Sequence, residues 1–360
     1  MQNRGAQWGW VLYEGAATFL LIAIIAAGRL ESLICVILLM AVLSPFLGPL
    51  GDGKGHKKKE FLVCLMMGLL GAALVAWTGL PALYILALFG FSAAGLLHSA
   101  FLTDVSDIAH FERVSALGSL CFLVCSACAL WLVPELLQRA MDLRRTIGLA
   151  VVWAAAFSIP FLIYVRHRHE ALPSTYRLPK EVLGSIRKSG VSMAKNRKIR
   201  SLVLAMFLCS AGISTVLVHG VARLSLDIRN MWWIVLLSLA CTMLSSQAGR
   251  KWRGVQILLA WFSLCCLGCL LDLLLPGSAL GVVGITCCGI RALVRAGFAR
   301  IIPRDQSAAY FGIFYCLGYV GVLLGIGIGL ISFANVLAGV LFLISGAILL
   351  YQRRRFVFLG

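Results

Sequence analysis

Four ionisable side chains lie inside apolar stretches of this sequence, where a charge without a partner is costly. Glu14 stands about a third of the way along the first stretch, and His98 stands late in the fourth. Arg291 and Arg295 are four positions apart in the tenth, so they share one face of a helix. A charged group in hydrocarbon costs on the order of 2.5 to 3.5 kcal/mol unless it meets water or a partner. These residues therefore predict a hydrated cavity that binds a solute or a proton.

Each of these residues also has a purely structural interpretation. Glu14 could only anchor its helix, because three aromatic residues in the six positions before it favour the membrane interface. Arg291 is the deeper arginine and the better candidate for binding a solute or pairing with Glu14. Arg295 lies nearer the helix end, where its side chain could extend to the interface, and that role is favoured for it. His98 could carry protons, but a single membrane histidine is more often a hydrogen-bonded packing residue.

A short basic loop punctuated by glycine separates the second and third apolar stretches. It has a degraded copy half a chain later, over residues 246–253. The repetition indicates a duplicated membrane bundle whose helix pairs are joined by charged hinges, as in a transporter. The residues that we expect to form this gating hinge are Gly48, Leu50, Asp52, Gly55, Lys57 and Lys58.

The composition places the chain in a lipid bilayer. It is 61% hydrophobic with only 13% charged residues, too few to cover a water-facing surface. Stretches of about 20 apolar residues can each span a membrane as a helix. We predict an all-α membrane protein with twelve such spans in two six-helix halves. The predicted spans are 7–28, 32–50, 61–79, 81–101, 113–133, 146–165, 201–219, 231–247, 254–274, 278–299, 310–331 and 335–351.

One long polar stretch, residues 166–200, divides the chain into an N-terminal half, 1–165, and a C-terminal half, 201–360. Its later part, from Val182 to Lys188, is amphipathic and could lie as a helix on the cytoplasmic interface. A solvated linker that only joins the halves is the equal alternative.

The formal net charge of +18 follows the topology and does not indicate nucleic-acid binding. With both termini cytoplasmic, 24 of the 32 basic residues fall in inside loops and tails, and six fall outside. This is the bias of the positive-inside rule. A smaller possibility is that the central loop or the terminal Arg353–Arg355 attracts anionic lipid.

No motif indicates an enzyme, a cofactor or a metal site. The thirteen cysteines all lie within apolar stretches without a histidine or acid nearby, which is typical of packing residues. Neither a phosphate-binding loop nor a nucleophile triad occurs. The glycines Gly321, Gly325 and Gly329, spaced by four, predict close helix packing.

The hinge loop resembles the signature between the second and third helices of the major facilitator superfamily. The match is Gly48-x-Leu50-x-Asp52-x-x-Gly55, followed by His56-Lys57-Lys58. The resemblance implies a latch: Asp52 would approach basic groups and helix N-termini of the opposite half, with Lys57 and Lys58 in the basic role. It also implies that the first, fourth, seventh and tenth helices line a central cavity.

Further stretches are similar to the "unknown major facilitator" branch, which is related to fungal vacuolar amino-acid exporters of autophagy. They are residues 10–14, 98–104, 113–118, 300–303 and 311–315. The chain departs from the branch after Glu14, where it has Gly15-Ala16-Ala17-Thr18, and in the seventh helix, where Ser210-Ala211-Gly212 replaces a more polar run. The resemblance therefore leaves the substrate open.

We expect a secondary transporter that moves a small polar solute by alternating access, with protons coupled through Glu14 as one possibility. The expected setting is a bacterial inner membrane, with a monomeric protein and the lipid bilayer as its surroundings. One rival is a degenerate transporter that serves as a membrane receptor or scaffold. An integral membrane enzyme acting on lipid is a third possibility, but it lacks clustered catalytic residues.

Overall fold

In the part of the chain that the structure describes, the regular elements are helices, since a helix satisfies its own backbone hydrogen bonds in hydrocarbon. The computed structural model describes residues 4–52, 57–138, 142–166, 179–224, 232–248 and 254–353. The first part consists of α1 (Arg4–Tyr13), α2 (Thr18–Ala26), α3 (Leu30–Asp52), α4 (Lys57–Thr78), α5 (Pro81–Ala100), α6 (Leu102–Val105), the 3-10 turn Ile108–His110, α7 (Phe111–Gln138) and α8 (Leu143–Tyr164). The second part consists of α9 (Pro179–Lys195), α10 (Arg197–Leu224), α11 (Trp232–Ala248), α12 (Gly254–Leu271), α13 (Ser278–Ile301), the 3-10 turn Arg304–Gln306, α14 (Ser307–Gly329) and α15 (Ala334–Arg353).

Eleven helical stretches in the described part of the chain are long and apolar enough to cross a membrane, with Arg4–Ala26 counted as one. The helix α11 adds a shorter apolar stretch, Ile234–Leu244. The chain is thus a multi-pass membrane protein whose spans occur in the predicted order. The helix ends differ by a few residues, and α10 already begins at Arg197, inside the predicted polar connection.

The predicted first span is wrong in one respect, because it is not a continuous helix. Residues 14–17 form turns between α1 and α2, with hydrogen bonds such as that from the Gly15 amide to the Leu12 carbonyl, 3.0 Å. The carbonyl of Gly15 accepts a long bond from the Thr18 amide, 3.4 Å, and shorter bonds from two side chains, Thr18 Oγ1 at 2.7 Å and Trp153 Nε1 at 2.9 Å. Side-chain donors of this kind allow a helix to break within a membrane.

The two sets of helices meet along α3 and α14, and along α7 with α11 and α13. The α3 and α14 backbones approach closely through glycines. A Cβ at Gly312 would lie 2.6 Å from the Ser44 carbonyl oxygen, and one at Gly48 would collide with the backbone at Ala308. Only glycine fits at these two positions of the crossing.

The bundle has two ends, which we name by their residues. The basic face carries Arg4 and the ends of α3 and α6; the far face carries the turns at Gly28 and Gly79. Both turn glycines have positive φ, 68° and 72°, a conformation that favours glycine.

Candidate functional site

The four predicted ionisable residues meet at the break in the first span. Glu14 follows α1 directly, His98 comes from α5, and Arg291 and Arg295 come from α13. Arg295 Nη1 pairs directly with Glu14 Oε1. Arg291 Nη2 lies 3.7 Å from Glu14 Oε2, and His98 Nδ1 lies 3.5 Å from Glu14 Oε1. The Glu14 side chain is only 5% exposed, so Glu14 is buried inside the bundle and is not an interfacial anchor.

The interpretation of Arg295 as a side chain that extends to the interface is wrong. It is buried, and it is the principal partner of Glu14. Its Nε donates to Ser115 Oγ at 3.0 Å, and its Nη2 donates to the Ser115 carbonyl at 3.2 Å. The guanidinium also lies over the Trp10 ring, 4.6 Å from the centroid. Together these contacts hold the cation inside the bundle in a fixed direction.

His98 is fixed by reciprocal bonds with Trp10. The Trp10 indole donates to the His98 carbonyl at 2.8 Å, and His98 Nε2 lies 2.8 Å from the Trp10 carbonyl. Because a carbonyl only accepts, this geometry requires the hydrogen on Nε2. The other nitrogen, Nδ1, faces the Glu14 carboxylate, so a hydrogen bond between them needs one more proton. The geometry places one proton position between the two groups, at a separation of 3.5 Å.

Arg291 is placed differently from Arg295, because its side chain is 45% exposed. It lies 5.7 Å from the centroid of Phe122 and beside the hydroxyl of Tyr315. It lines a cavity of about 280 Å³ between the two sets of helices. The cavity extends from Glu14 and His98 toward the far face, with walls that include Phe91, Leu88, Leu20, Leu21 and Tyr319.

The basic-face end of the bundle is closed by Asp52, the last residue of α3. Its carboxylate accepts from the Ala308 amide at 3.0 Å and from the Ala309 amide at 2.7 Å. These amides belong to the first turn of α14, whose N-terminal end favours an anion. Asp52 is only 7% exposed, and its two bonds join the first and second parts of the chain.

The two lysines of the hinge act in different places. Lys57 is fully buried; its ammonium donates to Asp104 Oδ2 at 2.9 Å and to Ser307 Oγ at 2.8 Å. Lys58 instead donates to the carbonyls of Leu162 and Val165, at 2.6 and 2.7 Å, and so ties α4 to the end of α8. Placing both lysines in one latch is therefore wrong, since Lys57 reaches α14 and Lys58 does not.

The other hinge residues have separate positions. Gly48 lies against the α14 backbone, and Leu50 is 37% exposed. Gly55 lies outside the described residues, and so do residues 249–253 of the degraded copy.

Several contacts between the two parts of the chain were not predicted. Ser115 Oγ donates to the Ala292 carbonyl at 2.8 Å, and Arg300 Nη2 lies 3.3 Å from Glu112 Oε1. Nearer the cavity, Ser99 Oγ lies 2.7 Å from the Tyr315 hydroxyl. Serine and tyrosine are common in membrane helices, so no spacing in the sequence distinguishes these from ordinary packing residues.

The described ranges contain no group of three or more histidine, cysteine or acidic residues that could hold a metal ion. The thirteen cysteines are free. The three glycines of α14, Gly321, Gly325 and Gly329, each lie against the backbone or side chains of α10.

Comparison with known proteins gives the fold. No family model matches the chain. It is 24% identical over 321 residues to YxiO, an uncharacterized MFS-type transporter of Bacillus subtilis (strain 168), and the match covers 80% of this chain and 73% of that protein. The crystal structure of the human organic anion transporter MFSD10 (TETRAN) is similar with a TM-score of 0.76 and 15% identity, covering 97% of this chain and 98% of that one.

A second solved structure is FucP, a major facilitator superfamily transporter in its outward conformation. Its TM-score is 0.70 at 13% identity, with 98% of each chain covered. The chain therefore has the twelve-helix fold of major facilitator transporters, and the predicted fold class is confirmed. The narrower resemblance to the autophagy exporters stays a prediction.

Proposed function

We propose that the chain is a secondary active transporter that moves a small polar solute by alternating access. The observation that carries this proposal is the cavity at the Glu14 cluster, which is sealed toward the basic face and extends toward the far face. A solute site between two groups of helices that rock against each other is the general arrangement of such transporters. Solved structures with a similar fold support it, since one is described as a fucose:proton symporter and another as a proton:xylose symporter.

The moving parts in this proposal are residues 1–165 and 201–360. The described structure corresponds to the state in which the basic face is shut. Opening it would break the bonds from Asp52 to α14, the bond from Lys57 to Ser307, and the pair of Arg300 with Glu112. With both termini in the cytoplasm, as the charge bias predicts, this is the outward-facing state in a bacterial inner membrane.

Protons enter the cycle through Glu14. Its carboxylate belongs to the first part of the chain and Arg295 to the second, so their buried pair joins the two. A proton on Glu14 removes its charge and weakens that pair. His98 Nδ1, 3.5 Å from the carboxylate, is the neighbouring group that could accept the same proton. The other charged group facing Glu14 is Arg291. Proton binding therefore weakens the pair of Glu14 with Arg295, which joins the two halves that move in the cycle.

Reconstitution of the purified protein in liposomes tests the proposal. We expect at least one solute of a small polar metabolite panel to accumulate, and its uptake to change when a pH gradient is imposed. Glu14→Gln removes the titrating group at nearly constant shape, so uptake should lose its dependence on the gradient. The matched control is Glu31→Gln, at a carboxylate that is 63% exposed. Uptake of no solute would refute transport, and a preserved pH dependence in Glu14→Gln would refute the coupling.

The rival function, a receptor or scaffold derived from a transporter, needs no rocking cycle. It predicts that Asp52→Asn leaves function unchanged. Against it stands the intact geometry at the basic face. Two backbone amides of α14 still donate to Asp52, and the buried Lys57 still donates to Ser307.

A further inference from the structure

We infer that the cavity takes a small organic anion, with one acidic group bound at Arg291 and a mainly apolar body beside it. This inference rests on the proposed transport function and adds the class of the solute. It comes from the charge balance of the cluster, from the unequal engagement of its two arginines, and from the walls of the cavity.

The fixed charges at the cavity do not cancel. One carboxylate, Glu14, faces two guanidinium groups, Arg291 and Arg295. The histidine in the cluster can only add positive charge. The helix α2 begins at Thr18 without a side-chain cap, and Ala17 beside it lines the cavity, so its partially positive end lies at the same place. A site with excess positive charge inside a membrane favours an anion.

The excess charge is located at Arg291. Arg295 donates to Glu14 and to both oxygens of Ser115, and only 3% of its side chain is exposed. Arg291 approaches Glu14 at 3.7 Å, which is longer than a hydrogen bond, and leaves 45% of its side chain exposed. A guanidinium offers five N–H donors in a planar fork that matches carboxylate, sulfonate or phosphate oxygens. Arg291 is therefore the anion-binding group, and Arg295 balances Glu14.

The remaining walls fit an apolar body. Phe91, Phe122, Leu88 and Leu20 line the cavity, and Arg291 itself lies near the face of Phe122. The four hydroxyl-bearing side chains of the lining are Tyr13, Ser92, Tyr315 and Tyr319, and three of them already bond within the protein: Tyr315 to Ser99, and Tyr319 to Ser92. A sugar, with hydroxyls on every side, would leave many of its groups without partners here, and each would cost free energy. The volume of about 280 Å³ lies at the lower end of small-molecule sites, which limits the body to about one ring or a short chain.

Binding to the purified full-length protein tests the class. The probes are benzenesulfonate, its neutral counterpart benzenesulfonamide, the cation benzyltrimethylammonium, and inorganic sulfate, which is an anion without an apolar body. Benzenesulfonate stays charged at all working pH values. Dissociation constants are taken from the rise of the melting temperature with probe concentration, because a ligand of the folded state stabilises it. We expect benzenesulfonate to bind at least tenfold more tightly than each of the other three.

Variants locate the site. Arg291→Gln should weaken benzenesulfonate binding at least tenfold, and Arg291→Lys, which keeps the charge and loses the fork, should weaken it less. The control is Arg145→Gln, which removes the same charge at an exposed position at the start of α8. The melting temperature without probe verifies that each variant is folded, and Arg291→Lys carries the test if the glutamine variant is not.

Two results would overturn the inference: equal binding of the sulfonate and the sulfonamide, or unchanged sulfonate binding in folded Arg291 variants. If sulfate bound as tightly as benzenesulfonate, the part of the inference that assigns an apolar body to the solute would be refuted. These outcomes differ from failure of the proposed function. Transport of neutral or cationic solutes with no binding of anions would end the inference and leave transport intact. Selective sulfonate binding without movement of any solute would keep the anion site and refute the transport cycle.

Discussion

The bonds of Asp52 to α14 predict that replacing this residue by asparagine opens the basic face. The carboxylate accepts from two amides, Ala308 at 3.0 Å and Ala309 at 2.7 Å, and both donors belong to the other part of the chain. An asparagine retains one acceptor oxygen and turns an N–H group toward the second amide. One charge-assisted bond is therefore lost, and the other becomes a neutral one.

The size of the effect follows from these changes. A hydrogen bond to a charged group contributes about 1.5 to 3 kcal/mol, and a neutral one about 1 kcal/mol. The first turn of α14 also loses its favourable anion, worth about 0.3 to 1 kcal/mol. Because these interactions exist only while the face is shut, even the smallest of these values, which together make about 2.3 kcal/mol, shift the equilibrium toward opening by roughly 50-fold.

Hydrogen–deuterium exchange measured by mass spectrometry reports this shift. Peptides that cover Ala308 and Ala309 should exchange faster in Asp52→Asn, by up to the same factor. Residues 108–115, which include Glu112, should also exchange faster. Glu112 pairs with Arg300 at the same face, and the two separate only when the two parts of the chain move apart. Asp142→Asn, the same substitution at an exposed position before α8, serves as the control.

The two peptides separate a local effect from a movement of the whole face. Faster exchange at residues 308–309 alone would mean that Asp52 only caps α14. If neither peptide changed relative to the control, the reasoning that these bonds keep the basic face shut would be refuted.

Three further substitutions test the packing around the site, each measured as a change in the free energy of unfolding or in exchange. Lys57→Met leaves Asp104 buried without its cation and should cost about 3 to 5 kcal/mol in denaturation by detergent, whereas adding Asp104→Leu should restore much of that loss. Gly48→Ala places a Cβ against the facing backbone of α14 and should speed exchange at the basic face, while Gly95→Ala, with nothing within 4 Å of the new atom, should not. Trp153→Phe removes the indole bond to the carbonyl at the break in the first span and should cost about 1 kcal/mol.

The membrane class, the order of the spans and the fold class were predictable because long apolar runs have one stable form in a bilayer. The composition of the ionic cluster was also predictable, since buried charges are rare enough to stand out. Its pairing was not. Arg291 and Arg295 lie on one helix face, and which of them pairs more closely with Glu14 depends on how α13 crosses the first span. Contacts with Ser115 and Trp10 hold Arg295 as the closer partner of Glu14, and both residues look like ordinary membrane residues in the sequence.

Two other errors have the same origin. Lys57 and Lys58 are adjacent, so on a helix they point about 100° apart, and only the orientation of α4 selects the one that meets α14. The break in the first span had a signal in Gly15 and Thr18, which follow the acid. The donor that stabilises the break, Trp153, is more than a hundred positions away, so its role is visible only in three dimensions.

The ionic cluster and the basic-face contacts do different work in the proposed cycle, although both join the two parts of the chain. Asp52 and Lys57 are buried and neither lines the described cavity, so a solute bound there does not touch their contacts. The pair of Glu14 with Arg295 borders the cavity and can respond to a proton or to an anion at Arg291. An anion bound at Arg291 would compete with Glu14 for that guanidinium, which lies 3.7 Å from the carboxylate. Binding of the anion and protonation of Glu14 should therefore favour each other, since each removes one partner of the contact between Glu14 and Arg291. Their joint presence should weaken the charged pair of Glu14 with Arg295.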